Sequence, residues 1–465
     1  MSRPRHRLGR ANAEALRRAF AEFLRLPTCV IVGFLLLAGA TFTLDRGAVA
    51  WLQPLRTALR TYVFADAQAS AGLLGAIAAG LITITSITIS LLLIALQQSA
   101  SALTHQVYDQ FLRNRHNQFY FGFFVGLSLY ALVTLASAGP LNPVIGAGVA
   151  LAATLGALYL LLVLFYTTVD QMRPVVIIEA IHDHTLAARE LQRELIARTR
   201  RKPLCRGRVS QAVHAAAHGF VTAIDLDGID RAARLASAEV EVVLQVSVGD
   251  YVVFGQRLAE VRAHDAADAQ ALAAVLEDAV RREAQRDLAL DPLDGIEELE
   301  TIGWTSISTA QSDPDAGVLT IYSLRDILAR WAVASPGAAP ADPVPVVYQD
   351  NVMPRLLNAF ESLAVSACES MQHQSYAEVL RSFELLFDRL PAALQARAQD
   401  LILRSLSALG EHVLTAELEA ALTALAECFE RAGRHSTAAA IVTARQRLAA
   451  SVGKLGSRST RAAVP

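Results

Sequence analysis

The chain has 465 residues, of which 53% are hydrophobic and 18% charged, with a formal net charge of −2 and four cysteines. That length exceeds one ordinary domain, so at least two parts are expected, and there is no basic domain of the kind nucleic-acid binding requires. Cys29, Cys205, Cys368 and Cys428 are too scattered for a CxxC metal pair or a disulfide framework, and lysine occurs only as Lys202 and Lys454, which argues against Schiff-base or carrier chemistry.

Residues 1–25 form a basic segment carrying Arg3, Arg5, Arg7, Arg10, Arg17, Arg18 and Arg25. Three stretches then lack Asp, Glu, Lys and Arg altogether: 26–44, 67–106 and 116–169. A bilayer core about 30 Å thick is crossed by roughly 20 apolar helical residues, and charge at its centre is costly. The pattern predicts a membrane domain over 26–170 with spans at 26–44, 72–96, 119–138 and 144–166. Gly139-Pro140-Leu141-Asn142-Pro143 supplies the turn of the last helical pair. The stretch 67–106 reads as one helix about 60 Å long, which crosses once and projects past the headgroups.

Arginines cluster before the first span, between the second and third, and after the fourth, whereas the opposite side holds Arg46, Arg56 and Arg60. The positive-inside rule therefore places both termini in the cytoplasm. Ala38-Gly39-Ala40 after an apolar run also imitates a secretory cleavage site, but the basic lead is longer than a signal uses, so an uncleaved anchor is expected. Between the first two spans, Trp51, Tyr62 and Phe64 with Arg56 and Arg60 suit a short interfacial helix.

On the second span, Gly72, Ala76, Ala79, Thr83, Ser86, Ser90, Ile94, Gln97 and Ser101 fall within one arc at helical spacing. Two readings fit. Small and hydroxylated residues make a helix-packing seam. Alternatively, several copies surround a wet path lined by Thr83, Ser86, Ser90 and Gln97, with Ile94 as a dewetting constriction and no charged group to select strongly or relay protons. Gly122 with Gly126, and Gly148 with Ala152 and Gly156, repeat the small-residue spacing and favour tight assembly, within one subunit or in a homo-oligomer.

Beyond the spans, residues 171–205 read as a charged exit helix and 206–264 as a β-rich module, with strands at 220–224 and 240–246 and a helical insert at 226–236. The segment 248–261 resembles the hairpin of biotinyl and lipoyl carrier domains, which implies a barrel-sandwich-like module. Arg262-Ala263-His264-Asp265 stands where a carrier has its lysine, so a structural or ligand-sensing role is expected. His214 and His218 have helical ligand spacing but adjoin a strand, and His182-Asp183-His184 reads as solvated; neither metal nor cofactor is expected. Residues 265–334 and 346–455 read as helices, the latter as hairpins, joined by a proline-rich linker at 335–345 and followed by a disordered tail at 456–465. The fold class is thus a mainly α membrane protein, with four transmembrane helices followed by a cytoplasmic α+β domain made of the β module and a helical C-terminal array.

The serine- and threonine-rich second span running into Leu96-Gln97-Gln98-Ser99-Ala100-Ser101, residues 107–115, Gly219-Phe220-Val221-Thr222-Ala223-Ile224-Asp225 and the 248–261 segment together resemble an uncharacterised family. It consists of bacterial four-span membrane proteins classed as a domain of unknown function. Members carry a Ser-Pro-Gly-Ile-Asn-Asp-Pro-like segment where this chain has Ser308-Thr309-Ala310-Gln311-Ser312-Asp313-Pro314. The resemblance implies a loop site of which Asp313 and Pro314 are kept, and it implies architecture without an activity. No residue cluster identifies a reaction. The expectation is a non-enzymatic, oligomeric protein in contact with the lipid bilayer, whose cytoplasmic domain senses a small ligand or docks a protein and controls a channel-like path. The alternative is a scaffold that recruits a cytoplasmic partner through its helical array, with no pore.

Overall fold

The computed structural model describes residues 24–47, 50–64, 66–102, 115–138, 142–171, 173–205, 209–284, 286, 290–308, 313–333, 343–409 and 413–451. Residues 1–23 of the basic lead, residues 107–114 and the tail expected to be disordered lie outside these. The chain divides into two compact units, Met1–Arg173 and Pro174–Pro465.

The first unit contains α1 (Arg25–Arg46), α2 (Gln53–Tyr62), α3 (Ala67–Ala102), α4 (Arg115–Ala136) and α5 (Val144–Gln171). Among the described residues, all of these except α2 are long and apolar enough to cross a membrane. Helix is the natural state for such segments, because in hydrocarbon each backbone group must be satisfied internally. α3 is continuous over 36 residues, about 54 Å. α4 is the central helix: it packs on α1, α3 and α5, with Phe124, Leu127, Tyr130 and Ala131 fully buried. α1 approaches it closely. A Cβ at Gly122 would lie 2.7 Å from Pro27 Cα, and one at Gly126 would lie 2.6 Å from the Phe34 ring. The small-residue pair on the third span is therefore an intramolecular contact.

Polar groups close one end of this bundle. The Asp45 carboxylate accepts from Ile145 N (2.9 Å) and Gly146 N (3.0 Å), capping the start of α5. Arg56 of α2 donates to the Leu44 and Asp45 carbonyls at the end of α1. The Tyr130 hydroxyl donates to Gly146 O at 3.0 Å. α2 buries none of its residues, and Tyr62 at its end is exposed.

The second unit begins with α6 (Pro174–Arg198) and continues through β1 (Val209–His214), β2 (Gly219–Ile224), α7 (Leu226–Arg234), β3 (Val240–Leu244), β4 (Tyr251–Val252), β5 (Arg257–Ala263), α8 (Ala266–Ala279) and β6 (Val280–Glu283). It ends in α9 (Pro292–Ser308), α10 (Pro314–Val333), β7 (Val346–Val347), α11 (Val352–Glu369), α12 (His373–Leu386), α13 (Ala392–Ala408), α14 (Ala416–Arg431) and α15 (His435–Ser451). The strands form two sheets, ordered β1-β5-β3-β7 and β4-β2-β6. Val242, Val252, Leu258, Val261, Leu272 and Leu276 belong to one core shared by both sheets and α8. In the helical array α9 packs on α6, α10 and α11, and the Phe387 ring meets that of Phe429 at 4.5 Å with a 50° tilt.

Three expectations are corrected here. The helical reading of 265–334 is interrupted: α8 stops at Ala279, because Val280–Glu283 pairs with the open edge of β2. The anticipated hairpin is not self-paired: β4 joins β2, while β5 lies between β1 and β3, so the chain changes sheets at the turn containing Gly255. The segment from 346 opens as a strand, parallel to β3, and not as a helix. In each case a partner distant in sequence decides, which local pattern cannot register.

Candidate functional site

Helix α3 carries the residues singled out on the second span. Leu74, Ile77, Ala78, Leu81 and Thr88 are buried in the bundle. Gly72, Ala76, Ala79, Thr83, Ser86, Ser90 and Ile94 are all exposed. Gln97 and Ser101 belong to the helix, but their side chains are not among the described ones. A Cβ built on Gly72, Gly75 or Gly80 meets nothing within 4 Å. The small, weakly polar face of α3 thus points away from the chain's own bundle. Two of its hydroxyls are satisfied within the helix: Thr83 donates to Ala79 O (2.9 Å) and Ser90 to Ser86 O (3.0 Å). On α5, Ala152 and Gly156 are likewise exposed, whereas Gly148 faces Leu59 of α2.

In the second unit, a charge cluster connects the β module to α9. Arg286 donates to Glu297 Oε2 (2.7 Å), Asp294 Oδ1 (3.4 Å) and Gly249 O (2.9 Å), and its guanidinium lies 4.8 Å from the Phe220 ring centre. Asp291 is buried, with Oδ1 accepting from Leu293 N at 2.9 Å, while Oδ2 has no hydrogen-bond partner among the described residues and sits 3.8 Å from Arg286 Nε. Burial pushes the Asp291 pKa up to about 6 against the pull of Arg286. Burial alone would lower the Arg286 pKa, but Glu297, Asp291 and Asp294 together hold it above its ordinary value. Gly249 has φ +93°, and a Cβ there would meet both Asp291 carboxylate oxygens at 2.6 Å, so glycine is required on conformational and steric grounds. Gly249 lies in the carrier-like segment 248–261, whereas Arg286 and Asp291 belong to none of the motifs that spacing and composition single out. The available signal was Asp291-Pro292, an N-cap residue followed by proline at a helix start.

Other sequence candidates have local explanations. Asp313 is exposed and Pro314 is the first residue of α10; Gly317 N donates to Asp313 O at 3.3 Å. His214 ends β1 and His218 precedes β2, so they share no helix face. His182 corrects its reading as solvated: its ring is largely buried, and Nε2 lies 2.9 Å from Asp326 Oδ2, joining α6 to α10. Burial opposes ionisation of Asp326, yet hydrogen bonds from Arg330 and His182 hold its pKa below the usual range. Arg189 grips Asp350 with two nitrogens, at 2.9 and 2.5 Å, and lies over Trp331. Among the described residues, the group with metal-ligand proximity is Cys205, Glu239 and His264. They are far apart in sequence, so no spacing motif announces them.

A family model described as predicted membrane protein, DUF2254, matches residues 21–372. No curated protein matches the chain, and no solved structure does.

Proposed function

The chain belongs to the DUF2254 family of predicted membrane proteins, and from that premise we propose that it self-assembles in a bacterial inner membrane through the outward face of α3. Its C-terminal unit stands in the cytoplasm as a docking or sensing part. The observation that carries this is the exposure of Gly72, Ala76, Ala79, Thr83, Ser86 and Ser90 together, on a helix whose opposite face is buried. Lipid gives helices no hydrophobic reason to associate; close approach of small residues and hydrogen bonds supply the attraction instead. The arginine distribution supports the orientation. The two sheets around one core support a barrel-sandwich-like module.

In this assembly the α3 faces of several copies enclose a narrow, uncharged path that Thr83, Ser86 and Ser90 line and Ile94 constricts. A second reading rests on the back-bonded hydroxyls. Because Thr83 and Ser90 already donate to their own helix, they need no water, and the same face then makes a dry seam in a scaffold whose helical array recruits a cytoplasmic partner.

Oxidative crosslinking in native membranes tests the assembly, using single cysteines in a background where the four native ones are replaced. Ser86→Cys is expected to give covalent dimers and Leu162→Cys, exposed on α5, to stay monomeric. A monomeric Ser86→Cys would reject the assembly. Conductance of the purified protein in bilayers, abolished by Ser86→Leu, would select the path; silence under all conditions would select the dry seam.

A further inference from the structure

We propose that the second unit binds a thiophilic divalent cation, zinc in the first instance, at Cys205, Glu239 and His264. A potential ligand atom from each lies within 4.8 Å of the others. The strand register produces half of this arrangement. β3 and β5 are antiparallel with Val240 opposite Ala263, so Glu239, one residue before β3, and His264, one residue after β5, fall side by side at the end of the ladder.

A buried carboxylate supplies the other half. Glu241 is fully buried and accepts from Leu204 N at 2.9 and 3.1 Å and from Cys205 N at 3.2 Å, while Arg200 pairs with it at 3.2 Å. This pins the backbone of Cys205 beside β3, where its thiol lies 3.8 Å from the Glu239 carbonyl oxygen. Cys205 is buried, while Glu239 and His264 are exposed, so the sulfur sits at the floor and the other two ligands rotate in from the solvent side. Tetrahedral zinc, with ligands at about 2.0–2.3 Å, brings donor atoms to roughly 3.3–3.8 Å of one another. Closing from a spacing of 4.8 Å or less calls for shifts of about 1 Å in the ligand atoms.

The donor set selects the ion. A thiolate with an imidazole and one carboxylate suits zinc and its neighbours and disfavours magnesium and calcium, which take oxygen ligands. Binding expels the thiol proton and leaves a fourth position for water. Bound metal would fasten the segment following α6 to the ends of β3 and β5, making the stability of this unit dependent on metal supply.

The test is titration of tag-free, full-length protein in detergent with cobalt(II) as a spectroscopic substitute, and with zinc in a competition assay. One equivalent per chain is expected, with a thiolate-to-cobalt charge-transfer band, displacement by zinc, no competition from magnesium, and a rise in the melting temperature. Cys205→Ser is expected to abolish the band, and His264→Ala and Glu239→Gln, at exposed positions that leave folding intact, to weaken binding at least tenfold. Binding without the thiolate band, or affinity unchanged in His264→Ala and Glu239→Gln, would overturn the proposal, as would no binding at micromolar metal.

Discussion

The two units solve the problem of holding helices together with different materials. In the membrane unit the closest contacts are made by missing side chains: α1 and α4 meet where Gly122 and Gly126 let Pro27 and Phe34 approach. In the C-terminal unit aliphatic cores are supplemented by charged residues drawn inside, such as Arg286 among Asp291, Asp294 and Glu297, or Glu378 between Arg325 and Arg381. Water explains the contrast. Apolar burial drives association only where the alternative is solvation by water, so a segment surrounded by lipid gains by fitting closely, while one surrounded by water can bury charge at the edges of a hydrophobic interior. A small residue therefore means different things in the two units, and in the membrane unit it marks where helices approach most closely, as at Gly122 and Gly126.

Substitutions break this contrast in order of size. Arg286→Ala leaves three carboxylates facing one another without their cation and is expected to destabilise the C-terminal unit by about 3–5 kcal/mol, read by fluorescence of Trp304 and Trp331 in full-length protein. An unchanged melt would mean the cluster is solvated and dispensable. Gly126→Leu forces a side chain into Phe34 and is expected to cost about 3 kcal/mol or more, whereas Gly80→Leu, with open space around it, should leave the monomer melt unaltered. Equal effects of the two would erase the distinction between inner and outer helix faces.

The third prediction concerns pH. Because the folded pKa of Asp291, about 6, lies above its unfolded value near 4, the folded state gains protons in this window. The associated stability is complete below about pH 4 and is lost as pH rises through 6, a change of about 2–3 kcal/mol. Asp291→Asn keeps the oxygen that accepts from Leu293 N and should remove that dependence, matching the wild type at pH 4 and exceeding it at pH 8. A variant that still loses stability across the window would assign the titration elsewhere. Last and smallest, Thr83→Ala deletes a hydroxyl already bonded to Ala79 O and should change stability by under about 0.5 kcal/mol. A large effect would show that the hydroxyl has a partner beyond its own helix.

The membrane unit was legible from residue types because the solvent imposes a length and a charge rule on each span separately: α1, α3, α4 and α5 follow directly from uncharged stretches. Helices of the C-terminal array were also readable, since the 3.6-residue period is local; α11 to α15 all lie within the stretch 346–455 that reads as helical. The sheets were readable in part. β2 and β3 declare themselves by branched residues, but β6 and β7 exist because of the neighbours they meet. The candidate sites divide in the same way. The α3 face is a periodicity and could be listed from spacing, whereas its outward direction depends on where α4 packs. Arg286 with Asp291, and Cys205 with Glu239 and His264, are meetings of distant segments that no window along the chain contains.

The unbroken length of α3 has a mechanical consequence. A helix of about 54 Å in a hydrocarbon layer of about 30 Å overhangs it by roughly 24 Å, and a stiff rod anchored in a slab is a lever. Tilting it by about 10° about the mid-plane of the layer sweeps its far tip through roughly 7 Å, a stroke approaching the spacing of about 8–10 Å between packed helices.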